Sequence, residues 1–377
     1  MKKIAILVIA FLLCVSMVSF SACKNMVTTG KEGVTEASQV AGETSTSKTT
    51  DQAGETTQVA NNGSKGVVYY FDPTLLNDWM AYVNNKMLEF GKQSGYEVKS
   101  LDATNSADTQ LKQISDVLPL KPAAIILNAV DSATITAGVQ EANDAGVPVL
   151  VFDRFITEAK TNFTSAVGTI KIGQLAANEC AARLKEKNGE EKGIILELMG
   201  DAGDSYTVTI DKGFSEEMKS KYPNIKIIAK DTPGWELTKA GSIVEDQITT
   251  NANIDLIFVH SDGQAMGFYQ ILESNGHKKG DIILVGTDGT PDGLKLIRDG
   301  WMVESIGVPL NEQIWGIWQY MDKVIAKEKI DAGIVDIKGI KAEIIDEKWG
   351  TTLYLPGSII TKDNVDDPNL WGNNMGK

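Results

Sequence analysis

From residue 66 onward, short apolar, β-branched runs alternate with amphipathic stretches, a pattern that predicts βαβ units built on parallel sheets. The runs predicted as strands are VVYYF (67–71), YEVKSL (96–101), AAIIL (123–127), PVLVF (148–152), GIILEL (193–198), IKIIA (225–229), DLIFV (255–259) and IILVG (282–286). Most are apolar at successive positions, as suits strands covered on both faces. Between them, residues 78–93 predict a helix, because Met80, Val83, Met87 and Phe90 recur at spacings of three and four. Trp79, at the start of that helix, lies off the apolar stripe.

The N-terminus follows a different pattern. Lys2 and Lys3 precede an unbroken apolar run over residues 4–13, the arrangement of a secretory signal, and residues 1–22 are assigned to it. Ser21 and Ala22 before Cys23 resemble the lipobox of bacterial lipoproteins, with Phe20 where leucine is usual. Acyl chains on Cys23 would hold the protein to the bilayer at about 0.8 kcal/mol per buried methylene. The predicted location is therefore extracytoplasmic, at the outer face of the cell membrane. Residues 23–65 are rich in Thr, Ser, Gly, Gln and Glu, too polar to fold alone, and predict a tether with a root-mean-square span of roughly 35 Å.

The rest of the 377-residue chain is long enough for two domains of ordinary size. A net charge of −14 argues against nucleic acid as a partner. Of three cysteines, Cys14 falls in the signal and Cys23 in the lipobox, so Cys180 has no disulfide partner. His260 and His277 are the two histidines, and no Cys or His pair has metal-ligand spacing, so neither metal nor cofactor is expected.

Candidate chemistry lies where the strands end, because open parallel α/β sheets bind ligands beyond their carboxyl edges. Those exits carry Asp72, Asn128, Asp153, Arg154, Ser261, Asp262 and Asp288. Polar residues there also serve as helix caps and turn formers. Together, however, carboxylate acceptors, a guanidinium fork and an amide match the vicinal hydroxyls of a sugar. Trp79 and Trp235, both at helix starts, offer flat apolar faces for a sugar ring.

These residues carry a resemblance. PAAIILNAVDSATITAGVQEANDAGVPVLVFDR (122–154) and IILVGTDGTPDGLKLIRDG (282–300) are similar to the corresponding stretches of bacterial periplasmic sugar-binding proteins of the ribose, xylose and galactofuranose type. The similarity extends from Gly66 to Val365. It implies an α/β fold of the type I periplasmic binding protein class: two Rossmann-like lobes with parallel sheets joined by a three-strand hinge. The implied lobes are residues 66–167 plus 310–339 and residues 168–309 plus 340–377, with hinges near 167–169, 308–310 and 338–340. It further implies a monomer that closes on a monosaccharide and delivers it to the membrane permease of an ABC importer. A receptor feeding a membrane kinase or chemoreceptor is the alternative. Asn128, Asp153, Arg154 and Asp288 match the family's hydroxyl-binding positions. Asn77 and Trp79 match the asparagine and aromatic of the first helix, and Trp235 an aromatic of the second lobe. The chain departs from the ribose type at Val208 and Ile210, where that type has an arginine, at Ser261, which replaces an asparagine before Asp262, and at Pro309, which replaces a glutamine. The tail over residues 351–365 is closer to the galactofuranose and xylose types.

Catalysis is not expected. Asp153 and Asp288 could be read as an acid and base pair, and Gly203-Asp204-Ser205 as a nucleophile motif, but neither histidine stands in a triad context. A repressor would need an N-terminal helix-turn-helix where the signal and tether lie.

Overall fold

The computed structural model describes residues 63–251 and 253–375. The signal segment, Cys23 and the tether up to residue 62 lie outside the described residues, as do residues 376 and 377.

The first lobe begins with β1 (Val67–Asp72), α1 (Asp78–Gln93), β2 (Glu97–Asp102), α2 (Ala107–Val117), β3 (Ala124–Leu127), α3 (Thr136–Asp144), β4 (Val149–Phe152) and β5 (Phe163–Val167). The second contains α4 (Thr169–Asn188), β6 (Gly193–Leu198), α5 (Ser205–Lys221), β7 (Ile225–Lys230), α6 (Leu237–Thr250) and β8 (Leu256–Val259). It continues through α7 (Tyr269–Ser274), β9 (Ile283–Asp288), α8 (Pro291–Asp299) and β10 (Glu304–Gly307). The chain then forms α9 (Leu310–Ile325), β11 (Gly333–Ile337), β12 (Ile340–Glu347), β13 (Gly350–Leu355) and β14 (Ser358–Thr361).

The strand orders are β11-β12-β13-β5-β4-β3-β1-β2 and β14-β10-β9-β8-β6-β7. Within each lobe the first five strands run parallel in the order 2-1-3-4-5, so β4 and β9 occupy equivalent places. The outer strands β11, β12 and β14 pair antiparallel, making both sheets mixed. One expectation needs correction. Residues 340–355 belong to the first lobe, because β13 pairs in register with β5 from Thr351↔Phe163 to Leu355↔Val167 and β12 pairs with β13. The third passage between sheets therefore falls between Leu355 and Ser358, not at 338–340, where Lys338 and Gly339 form the hairpin turn joining β11 and β12.

The helix starts that reach the cleft are fixed by local chemistry. Asn77 Oδ1 accepts from Met80 N at 2.8 Å to cap α1, Asp204 accepts from Tyr206 N at 2.9 Å to cap α5, and Thr290 accepts from Gly293 N at 3.0 Å to cap α8. In the second lobe α4 and α5 cross almost backbone to backbone. A Cβ at Gly173 would lie 2.2 Å from Ile210 O, and one at Gly213 would lie 2.2 Å from Ile170 O.

Candidate functional site

The carboxyl edges of the two sheets face each other and touch. Arg154, just after β4, places Nε 2.9 Å from Asp204 Oδ2 in the second lobe, close enough for an ion pair though not aligned as a hydrogen bond. Phe155 N donates to Ser205 Oγ at 2.6 Å, and Ser132 N to Gly203 O at 3.3 Å. The Arg154 guanidinium also donates to Ala129 O at 2.6 Å and to Val130 O at 3.3 Å.

Two aspartates at topologically equivalent strand exits anchor the cleft. Asp153 has φ 68° and Asp288 φ 94°, a region that side-chain-bearing residues seldom occupy. The surroundings enforce both conformations: Asp153 N donates to Ser165 O at 3.0 Å, and Asp288 O accepts from Trp371 Nε1 at 2.8 Å and Val308 N at 3.1 Å. Asp153 Oδ1 accepts from Gln313 Nε2 at 3.1 Å, and Asp288 Oδ1 from the Tyr206 hydroxyl at 2.7 Å. Burial, with the Asp204 carboxylate nearby, pushes Asp153 up to about 7. Burial likewise pushes Asp288 up to about 6, held back by the hydroxyls of Tyr206 and Ser261.

Beside them, at the ends of β1 and β3, lies a group of polar atoms that the protein leaves unmatched. The carboxylate oxygens of Asp72, the Tyr70 hydroxyl, Asn128 Oδ1 and Trp79 Nε1 are buried without a well-aligned hydrogen-bond partner among the described residues, the Tyr70 hydroxyl interacting loosely with both Asp72 and Asn128 and Thr74 N with Asp72. Burial pushes Asp72 up to about 8. The Asn128 amide nitrogen reaches only Met80 Sδ, at 3.7 Å. Gln110 steadies the loop behind it, donating to Asn128 O at 2.8 Å and accepting from Val130 N at 2.9 Å. Trp79 is half-buried, its ring 6.4 Å from that of Phe152. Buried polar groups in native proteins nearly always find well-made partners, so a cluster lacking them at the carboxyl edges makes this the candidate ligand position.

Not every residue singled out from the sequence joins this group. Asn77 is exposed and spends its side chain on the α1 cap. Asp262 is wholly buried beneath the turn after β9: its Oδ2 accepts from Gly289 N at 2.8 Å, Thr290 N at 3.1 Å and Ser305 Oγ at 2.9 Å. It shapes the turn carrying Asp288, while its Oδ1 is buried without a well-aligned partner. Trp235 lies against Gly200 and donates its Nε1 to Asp204 Oδ2 at 3.2 Å, so its polar edge positions the partner of Arg154. Ser261 is half-buried beside Asp288. Conversely, Tyr70, Asp204, Tyr206 and Gln313 enter the cleft without having been singled out as ligand contacts. Val208 lies away from these carboxylates, in a groove of about 680 Å³ along the hinge side that Phe155, Thr169, Trp349 and Tyr354 also line.

Two lobes of 2-1-3-4-5 parallel sheet closing on a polar cleft define a binding protein of the two-lobed α/β class. The chain belongs to the periplasmic binding protein domain family, whose model matches residues 68–329. It is similar to the ribose import binding protein of Escherichia coli K12, 27% identical over 282 residues that cover 74% of this chain and 92% of the relative. It is also similar to a xylitol-binding protein of Mycolicibacterium smegmatis, 26% identical over 316 residues that cover 83% of this chain and 81% of that one. Its fold matches the crystal structure of a galactofuranose-binding protein with a TM-score of 0.71 and 24% identity, over 82% of this chain and 99% of the other. These relatives are solute-binding proteins, and the chain is a binding protein, not an enzyme.

Proposed function

We propose that the protein is an extracytoplasmic receptor that captures a monosaccharide or related polyol between its lobes and hands it to the permease of an ABC importer. The observation that carries this reading is the cluster of buried polar atoms without well-aligned partners at Asp72, Asn128 and Trp79, set against Asp153, Arg154 and Asp288 at the facing strand ends. Hydroxyl groups that both donate and accept would satisfy that mixture, and the Trp79 face would cover ring C–H groups. The similarity to ribose- and xylitol-binding relatives supports the same ligand class.

Capture would proceed by rotation about the crossings at residues 167–169, 307–310 and 355–358. Opening breaks the Arg154–Asp204 pair, and a ligand contacted from both lobes favours the closed arrangement by its differential affinity. Cys23, lipidated, would keep the receptor near its permease; Cys23→Ala should then shift the protein from the membrane to the soluble fraction of cells.

A thermal-shift screen against pentoses, hexoses and polyols tests the ligand class. A true ligand at 100 times its Kd should stabilise the protein by about 2.7 kcal/mol. Stabilisation by amino acids or nucleosides, with none by any sugar or polyol, would refute the reading.

A further inference from the structure

The C-terminal segment after β14 joins the ligand edge of the second lobe to a helix of the first, and this inference rests on the proposed function. Residues 366–375 pack on α8. Arg298 holds them there: its Nε donates to Asp366 Oδ1 at 2.7 Å, and its Nη2 to Asn373 Oδ1 at 2.7 Å and Val365 O at 3.0 Å. The amides of Asn373 and Asn374 tie the segment to itself, donating to Asp367 O at 2.9 Å and Leu370 O at 3.1 Å. A Cβ at Gly372 would lie 2.3 Å from Gly289 O, so the segment presses directly on the turn that follows Asp288.

That approach seats Trp371, which is 3% exposed. Its Nε1 donates to Asp288 O at 2.8 Å, and its ring lies 5.5 Å from that of Tyr82 in α1, tilted by 39°. Tyr82 in turn donates its hydroxyl to Asn311 Oδ1 at 2.8 Å, in the first turn of α9 beside the crossing at 307–310. Trp371 therefore meets the second lobe with its polar edge and the first lobe with its face. A buried indole N–H needs some acceptor. Here the acceptor is the main chain of a residue at φ 94°, a conformation that persists only where neighbours over-determine it. The side chains facing the Asp288 carboxyl are others, Tyr206, Ser261 and His260 together with Asp153, Asp204 and Asp262, so Trp371 acts on Asp288 through the backbone.

We propose that residues 366–375 are a strap that couples lobe closure to the ligand site, with Trp371 as its positioning residue. Seated on Tyr82 when the lobes are together, the indole locks the turn that presents Asp288. Rotation of the lobes withdraws Tyr82, and with it the support that keeps the indole against Asp288 O. The second lobe's ligand-facing carboxylate is then fully positioned only in the closed arrangement.

Melting temperature against pH for the ligand-free protein tests this without any sugar. Asp288 titrates at about 6, above the ordinary carboxylate value near 4, so its share of stability is lost as pH rises from about 4 to about 6. Trp371→Phe keeps a ring and removes the donor, whereas Tyr82→Leu removes the seat and leaves the donor. Each should free the Asp288 carboxyl, return its titration toward the ordinary value and flatten the curve in that window as Asp288→Asn does. Combining either with Asp288→Asn should add no further flattening. Tyr82→Phe, which keeps the ring, should follow the wild type. Calorimetric titration with D-ribose, D-xylose, D-galactose, myo-inositol and xylitol is the second arm. Whichever binds the wild type should bind Trp371→Phe and Tyr82→Leu about 3- to 10-fold more weakly, the worth of one hydrogen bond. Variant curves that run parallel to the wild type's at every pH would overturn the inference and leave Trp371 as packing. Flattening by Trp371→Phe alone would overturn it too, because Tyr82 would then play no part, and so would an unchanged affinity for the bound sugar. Failure of every sugar and polyol to bind the wild type would count against sugar capture, and the pH profiles would still decide the strap.

Discussion

Asp153 and Asp288 occupy a backbone region that costs of the order of 1–3 kcal/mol per residue, and such strain persists where surrounding contacts over-determine it. The strained turns hold both carboxylates at the facing strand ends, which makes their removal informative. Asp153→Ala should weaken sugar binding by about 2–5 kcal/mol in calorimetry, the range for truncating one member of a buried charged group. An unchanged affinity would remove Asp153 from the site. The buried acids also set a pH dependence. Ordinary carboxylates titrate near 4. Asp288 titrates at about 6, Asp153 at about 7 and Asp72 at about 8, so between those limits the folded protein retains protons that the unfolded chain has released. Stability of the unliganded protein should accordingly decline as pH rises from 5 to 8.5, read as a falling melting temperature. Asp72→Asn should flatten the upper part of that slope and stabilise the unliganded protein at pH 8 by roughly 1–3 kcal/mol, the cost of a buried group without a partner. A melting temperature independent of pH in both proteins would contradict this. Residues that directly follow apolar runs, Asn128, Asp153, Arg154 and Asp288, are legible in the sequence because strand ends mark the ligand edge. Asp204, Tyr206 and Gln313 are not, since a residue in the first turn of a helix reads as a cap or core position until its neighbours across the cleft are known.

Among the elements, strands that are apolar throughout, β3, β4 and β8, are legible to within a residue. β5 (FTSAV) and β10 (ESIG) escape the pattern because polar side chains occupy fully buried positions. Ser165 is buried by donating to Gln313 O at 2.7 Å, and Glu304 is buried by pairing with Arg183 at 2.6 Å. Neither compensation is local, so hydrophobic pattern alone cannot reveal it. The placement of β12 and β13 in the first lobe has the same cause: parallel pairing of β13 with β5 joins residues nearly two hundred positions apart. The helix crossing of α4 and α5 leaves no room for side chains at its two contact glycines. Gly173→Ala or Gly213→Ala should therefore destabilise the protein by about 1–3 kcal/mol in denaturant unfolding, as overpacking does. Alanine tolerated at both positions would show that the helices separate more easily than this contact implies.

For the whole molecule, the fold and the family leave open which ligand is held, and the cleft supplies the narrower argument. Two lobes of matching strand order bring equivalent strand ends, β4 and β9, to face each other, so one small molecule can be read from both sides by Asp153 and Asp288. The chain passes between the lobes three times, and Arg154 and Asp204 meet across the gap as a charged pair. A crystal structure of the protein with a stabilising sugar or polyol tests this most directly. The expected result is one molecule between the lobes, with hydroxyl oxygens within about 3.2 Å of both Asp153 and Asp288. A ligand seated in the hinge-side groove beside Val208 and Trp349, or on the face of one lobe alone, would contradict it.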